Sequence, residues 1–244
     1  MLDAELSSLI GVLLQKPPQD PYKTPLILSG FFAGLGASCP VREGDSGSKG
    51  RGVFATRAIS CGEICTMYPC DYLKLSAPGS PGSDLVCLRV GATAADAARV
   101  DGYAQFLRRS EDGKVFEVCG DPARPFRPGA SGHLINDPHP DVGKICRLPG
   151  DSASYGRGLL EYMVRTQGLS NCFLKPHASG QCVMVVATRD ISSGEELLAP
   201  YGYEYWIDVP DAGPWLEEFM ASPRPAGAQH AMLQIMSRYL SVAG

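Results

Sequence analysis

Leu2, Leu6, Leu9 and Leu13 recur at spacings of four and three residues and predict one amphipathic helix, which Pro17 and Pro18 end. Beyond it the pattern changes. After a Gly/Ser-rich stretch at 44–50, short apolar runs at 53–55, 63–68, 85–90, 115–118, 182–187 and 196–198 read as strands, since turn residues separate nearly all of them. Stretches 75–83, 121–131 and 138–158 are rich in Pro, Gly, Asp and Ser and read as surface loops or insertions, with only 159–166 helical in character. Met232, Ile235, Met236, Tyr239 and Leu240 return to helical spacing and predict a C-terminal helix on the body, its methionines serving as core filler.

One segment occurs twice. Ala55-Thr56-Arg57-Ala58-Ile59-Ser60-Cys61-Gly62-Glu63 recurs as Ala187-Thr188-Arg189-Asp190-Ile191-Ser192-Ser193-Gly194-Glu195, identical at seven of nine positions. Each copy follows an apolar run and places a glycine where a tight turn needs positive φ. The repeat therefore predicts two related hairpins framing the body.

Composition narrows the class. Glycine (28) and proline (20) make up nearly a fifth of the 244 residues, which favours short strands and loops over a helical bundle. A net charge of -4 offers no basic face for phosphate backbones, so nucleic acid is not expected as a direct partner. The nine cysteines are odd in number, without a CxxC pair or a matching zinc-site spacing, and read as buried free thiols in a reducing compartment. The N-terminus has Asp3 and Glu5 and no leader pattern, and the apolar run 26–39 is too short to span a bilayer. The expected setting is intracellular, nuclear or cytoplasmic, away from membranes.

Four segments, in order, carry more: Lys49-Gly50-Arg51-Gly52-Val53-Phe54, Gly132-His133-Leu134-Ile135-Asn136-Asp137, Ser170-Asn171-Cys172, and Gly194-Glu195-Glu196-Leu197 leading into Tyr201-Gly202-Tyr203-Glu204-Tyr205-Trp206. Together they resemble the SET domain of protein lysine methyltransferases. The resemblance covers roughly residues 41–206, and combination and order make it specific, since a lone Gly-x-Gly is weak. It implies a mostly β, β-clip body of small curved sheets with a pseudo-knot active site and flanking N- and C-terminal helices. The expected organisation is a helical extension at 1–40, a SET domain at 41–208 with insertions near 74–130 and 138–170, and a helical tail at 209–244.

The same resemblance implies roles. Gly50, Arg51 and Gly52 would bring side-chain-free backbone to the methionine part of S-adenosylmethionine, although alone they read as a flexible turn. Asn136 would hydrogen-bond that cofactor and His133 would offer backbone groups to it. Asp137 departs from the family's His; it either attracts the sulfonium or forms a turn before Pro138. Trp215 would stack on adenine or anchor a helix. Asn171 matches the family's second Asn, with 33 residues between it and Asp137 where relatives often have only a few. Tyr201 is the catalytic candidate, a hydroxyl that positions the lysine nitrogen for in-line attack. Tyr68, Phe173 and Tyr203 would wall the lysine channel, each with the alternative of a core or rim aromatic. No cysteine follows Cys182, so the family's frequent C-terminal zinc cluster is not expected.

The function these readings imply is S-adenosylmethionine-dependent methylation of protein lysine, with a basic histone tail as the substrate class. The alternatives are a catalytically inactive SET-like interaction module, a non-histone protein substrate, and a small metabolic acceptor. Cofactor binding separates module from enzyme.

Overall fold

Short apolar runs broken by turn residues cannot build one large sheet, and the described residues make three small antiparallel ones. A computed structural model describes residues 23–34, 39–76, 100, 103–109, 115–138, 162, 166 and 168–201. Strand β1 (Val41–Asp45) pairs with β2 (Arg51–Ala55) around a 3-10 turn at Gly47–Lys49, in register from Val41 opposite Ala55 to Asp45 opposite Arg51. Strands β3 (Ile64–Met67), β7 (Cys172–Pro176) and β8 (Val183–Ala187) form a sheet in the order β3-β8-β7. Strands β4 (Tyr72–Ser76), β5 (Ala104–Arg109) and β6 (Val115–Cys119) form a third in the order β4-β6-β5.

The mostly β expectation holds, and the runs at 53–55, 63–68, 115–118 and 182–187 coincide with β2, β3, β6 and β8. Strands β1, β4, β5 and β7 were not anticipated. Their sequences, such as Val41-Arg-Glu-Gly-Asp45, are polar or mixed, so pairing and not hydrophobicity defines them. The loop expected from residue 75 begins later, because Leu75 and Ser76 complete β4. Residues 196–198 form no strand: Phe54 bridges Glu196 and Asn136 bridges Leu198. The stretch 121–131 is irregular and its middle, 122–128, lies at or near the surface as expected, while its ends, Asp121 and Gly129 to Ser131, are buried. The run at 85–90, the N-terminal leucine helix and the C-terminal helix lie outside the described residues.

A helix, α1 (Lys23–Gly34), overlaps the apolar run at 26–39. Leu28 and Phe32, one turn apart, bury against Ile64, Met67, Ala130, Cys182 and Met184. Gly129 permits the approach, because a Cβ there would fall 1.8 Å from the Phe32 carbonyl oxygen. Among the described residues no helix is long and apolar enough to cross a membrane.

The repeated segments do not fold as separate hairpins. Ala55 N–H donates to the Glu195 carbonyl and Gly194 N–H to that of Ala55, while Ala187 N–H donates to the Glu63 carbonyl and Gly62 N–H to that of Ala187. Each copy thus pairs its entry with the exit of the other, an internal two-fold. The turn chemistry matches: Gly62 and Gly194 have φ of 83° and 84°, and Arg57–Glu63 and Arg189–Glu195 both close at 2.6 Å. Cys61 Sγ reaches the Thr188 carbonyl as Ser193 Oγ reaches that of Thr56. A core of Val53, Ile59, Cys65, Ile135, Val185, Ile191 and Leu197 lies beneath this pairing.

The chain divides into two compact units, one of Met1–Pro140 with Arg165–Pro200, the other of Asp141–Val164 with Tyr201–Gly244. All three sheets belong to the first. In the second, Tyr162 is helical and buried, and Tyr201 is half-buried.

Candidate functional site

Residues 194–199 have three neighbours in the first unit. Leu197 N–H donates to the Val53 carbonyl at 2.7 Å on one side. Ala199 N–H donates to the Asn136 carbonyl at 3.1 Å, and Leu198 runs parallel to Asn136. Asn171 N–H and Cys172 N–H donate to the Leu198 carbonyl at 3.1 and 3.2 Å, and the Asn171 carboxamide is spent on the same segment. Its Oδ1 accepts Leu198 N–H at 2.8 Å; its Nδ2 donates to the Glu196 carbonyl at 2.7 Å and to Glu195 Oε1 at 3.1 Å. Residues 194–199 therefore pass between Asn136 and Asn171. Fully buried Asn171 acts as a structural clamp here.

Asn136 forms the second node. Its Nδ2 donates one hydrogen to the Arg51 carbonyl at 3.0 Å and the other to Glu196 Oε1 at 2.9 Å. Ser46 Oγ donates to the same carboxylate oxygen at 2.6 Å. Gly52 lies against this cluster, and a Cβ there would fall 2.6 Å from Glu196 Oε1 and 3.1 Å from Asn136 Nδ2. Gly50, at φ 77°, is different: nothing lies within 4 Å of where its Cβ would be. Gly52 is needed for packing within the protein, whereas Gly50, whose N–H and carbonyl are both bonded within the turn, leaves open space where a side chain would lie, at a φ that favours glycine.

The nearby cations are committed. Arg51 pairs through Nε with Glu43 and donates from Nη1 to the Pro122 carbonyl at 2.7 Å. Lys49 Nζ donates to the Asp137 carbonyl at 2.6 Å. Asp137 is itself buried, so its place beside Pro138 is an ordered one.

His133 sits apart from these groups, in the 3-10 turn Gly132–Leu134. Its ring meets Tyr68 and Tyr103 edge-on at centroid distances of 6.4 and 6.3 Å, and neither ring nitrogen has a hydrogen-bond partner. Burial drives its pKa down to about 4, against the pull of the Asp71 carboxylate. Tyr68 belongs to a core cluster with Leu73, Leu107, Phe116 and Val183, and its hydroxyl donates to the Tyr103 carbonyl at 2.7 Å. Phe173 stands half-buried on β7 opposite Val186.

The structure thus brings Gly50, Arg51, Gly52, Asn136 and Asp137 into one neighbourhood, and pairs His133 with Tyr68 in another. Tyr201 opens the second unit, directly after Pro200. Tyr203 and Trp215 lie outside the described residues. Ser46, Lys49 and the Glu196 side chain had no sequence assignment; Glu196 was visible only as part of Gly-Glu-Glu-Leu. A buried cluster also escaped: Asp71, with a side chain 2% exposed, is held by Arg124 at 3.1 Å and Arg127 at 2.8 Å and accepts Asp121 N–H.

Among solved structures, the chain is similar to a candidate histone methyltransferase of Plasmodium falciparum, at 14% identity and a TM-score of 0.32, covering 69% of this chain and 97% of that one. It is also similar to the ATXR5 SET domain in complex with histone H3, at 18% identity and a TM-score of 0.40, covering 67% of this chain and 58% of that one. A second ATXR5 complex, with histone H3.1, gives 18% identity and a TM-score of 0.38, covering 67% and 57%. The chain thus spans less than three-fifths of either ATXR5 chain. No curated protein matches it. The SET domain model matches residues 50–202, more than half of the chain, from Gly50 to the residue after Tyr201. By that match the chain belongs to the SET-domain family.

Proposed function

We propose that this protein transfers a methyl group from S-adenosylmethionine to a lysine side chain of another protein, with a basic histone tail as the substrate class. One observation carries the reading: residues 50–52, Asn136 and 194–199 meet in one unit, inside the family match at 50–202. The residues present suit the cofactor's chemistry. Gly50 leaves open space where a side chain would lie, and Asn136 Oδ1 is an acceptor unclaimed by any described residue, suited to a ligand bearing an ammonium.

Bound S-adenosylmethionine would supply a methyl group on a cationic sulfur. In this reading the main chain of Gly50, Arg51 and Gly52 and the Asn136 carboxamide hold it, the backbone at His133 and Asp137 flanks it, and Trp215 covers its adenine. The Tyr201 hydroxyl orients the lysine nitrogen for in-line displacement. The attacking amine must be neutral, and an apolar channel walled by Phe173, Tyr203 and the ring of Tyr68 favours that form by penalising the ammonium. Tyr68 contributes no hydroxyl, having given it to Tyr103.

One observation favours a second reading, an interaction module without catalysis. The Asp137 carbonyl, where relatives bind adenine through backbone, already accepts the Lys49 ammonium. The deciding experiment is transfer of labelled methyl from S-adenosylmethionine to core histones and whole-cell protein, with wild type beside Tyr201→Phe, and calorimetry with S-adenosylhomocysteine. The enzyme reading requires label on lysine that falls at least about tenfold in the variant, the scale of one lost transition-state contact. No label and no binding would leave the module. Binding without protein label would point to a small-molecule acceptor.

A further inference from the structure

The Glu196 carboxylate joins separate segments of the chain at a point where the proposed reaction needs no carboxylate. Its Oε1 accepts Ser46 Oγ–H from the β1–β2 turn and Nδ2–H from Asn136, and it fills the space a side chain at residue 52 would take. Its main chain is fixed independently, by the bridge to Phe54 and by the Asn171 carboxamide on its carbonyl.

The consequence falls on Asn136. A carboxamide has two N–H donors on one side and an acceptor oxygen on the other. Here both donors are spent on oxygens, the Arg51 carbonyl and Glu196 Oε1. Turning the amide over would set Oδ1 against those two oxygens, losing two hydrogen bonds and adding repulsion. The acceptor pair therefore decides which end of the Asn136 carboxamide is turned towards those two oxygens, and it leaves Oδ1 as the end turned from them.

We infer that Glu196 is a positioning residue for the cofactor site: it locks the Asn136 carboxamide with Nδ2 on the two acceptors and Oδ1 turned from them, and holds the 46–52 turn against it. The site then selects, at that point, a ligand group that donates, as the amino group of the cofactor's amino-acid end does. The inference rests on the cofactor reading above. Glutamine at 196 keeps an acceptor oxygen for Ser46 and Asn136; alanine keeps none. Ser46→Ala removes one donor and leaves the Glu196–Asn136 contact intact.

The test uses the full chain and two measurements. Calorimetry with S-adenosylhomocysteine should show Glu196→Ala binding about tenfold more weakly, the size of one charge-assisted hydrogen bond, with Glu196→Gln and Ser46→Ala within about threefold of wild type. NMR of the ligand-free protein should show the Asn136 side-chain amide protons exchanging faster in Glu196→Ala than in wild type or Glu196→Gln. Unchanged exchange in the alanine variant overturns the inference, as does wild-type affinity in that variant. If Glu196→Ala does not fold, Glu196→Gln and Ser46→Ala still test it: both keep an acceptor for the Asn136 amide, so amide protons that exchange several-fold faster in either variant than in wild type would overturn it. Wild type that fails to bind sinks the methyl-transfer reading instead, and the exchange measurement then judges Glu196 alone.

Discussion

Ile59 and Ile191 exchange backbone hydrogen bonds, N–H to carbonyl at 2.9 Å in both directions, and each side chain is 1% exposed. They hold the same place in the two copies of the repeated segment, so the internal two-fold passes between them. The pairing ties residues far apart in sequence, and residues 194–199 lie against β2 and between the two asparagines because it does.

Both isoleucines belong to the same buried cluster, so truncation at either position leaves a cavity in that core. Ile59→Ala and Ile191→Ala should each cost ~2–5 kcal/mol, and Ile→Val ~1 kcal/mol, in urea denaturation. The two sites should agree closely. A cost well under ~1 kcal/mol at one alanine site and several at the other would mean the two-fold does not extend to packing.

The two glutamates of the repeat are set apart by one neighbour. Glu63 is held below the usual carboxylate range by the Arg57 hydrogen bond and the Ser60 N–H. Burial pushes Glu195 up, but hydrogen bonds from Arg189, Ser192 N–H and the Asn171 carboxamide outweigh it and hold it low too. Both carboxylates therefore add stability that is present above the ordinary glutamate pKa and is lost as pH falls below it. The Arg pairs are largely exposed, so Arg57→Ala and Arg189→Ala should each change stability by ~1 kcal/mol or less. Glu195→Ala should cost clearly more than Glu63→Ala, because it strips a partner from buried Asn171. Equal thermal shifts in the two glutamate variants would contradict this.

What was legible in the sequence follows from what the residues do. Strands β2, β3, β6 and β8 carry their own apolar runs, and the repeat revealed its turn glycines because positive φ leaves a mark on residue type. Strands β1, β4, β5 and β7 are made by their partners, and a residue's partner is not written beside it. The exchange between the repeats was hidden for the same reason: Ala55 reads alike whether it meets Glu63 or Glu195. Gly52 and Asn136 could be named from motif, but not that Asn136 spends both its hydrogens inside the protein. The clamp by Asp71, Arg124 and Arg127 left no signal, since an isolated Asp and two arginines in a Pro-rich stretch look like solvated surface.

The thiols offer a test of burial. Among the described residues Cys39, Cys65, Cys70, Cys119, Cys172 and Cys182 are buried and Cys61 is exposed, the exception to the expectation that all are interior. Burial pushes the Cys65 and Cys182 thiols up to about 12 and raises Cys39, Cys70 and Cys172 as well, so little thiolate forms at those sites at neutral pH. Native-state titration with a disulfide reagent should therefore lose one fast-reacting thiol in Cys61→Ser. In denaturant the buried cysteines should join the fast phase. An unchanged fast phase in the variant would mean that Cys61 is shielded.

His133 makes the fold sensitive to acid. Its ring is buried against Tyr68 and Tyr103, Gly120 abuts it so closely that a Cβ there would fall 2.4 Å from Cγ, and neither ring nitrogen has a partner at full hydrogen-bond geometry, so the weak pull of the Asp121 backbone does not offset burial. The folded state keeps the ring neutral down to about 4, whereas the unfolded chain protonates near 6.5. Between those values the unfolded state binds the extra proton, so stability falls as pH is lowered from about 6.5 towards 4 and levels off below; raising pH above 6.5 changes nothing at this group. The difference corresponds to ~3 kcal/mol once the transition is complete. His133→Phe keeps an aromatic ring between the two tyrosines and removes the titration. Its stability should therefore decline less than that of wild type between pH 7 and 4, by roughly that amount, while the carboxylates contribute equally to both. Parallel pH profiles for the two proteins, measured by urea denaturation, would show that His133 gains a proton acceptor in solution.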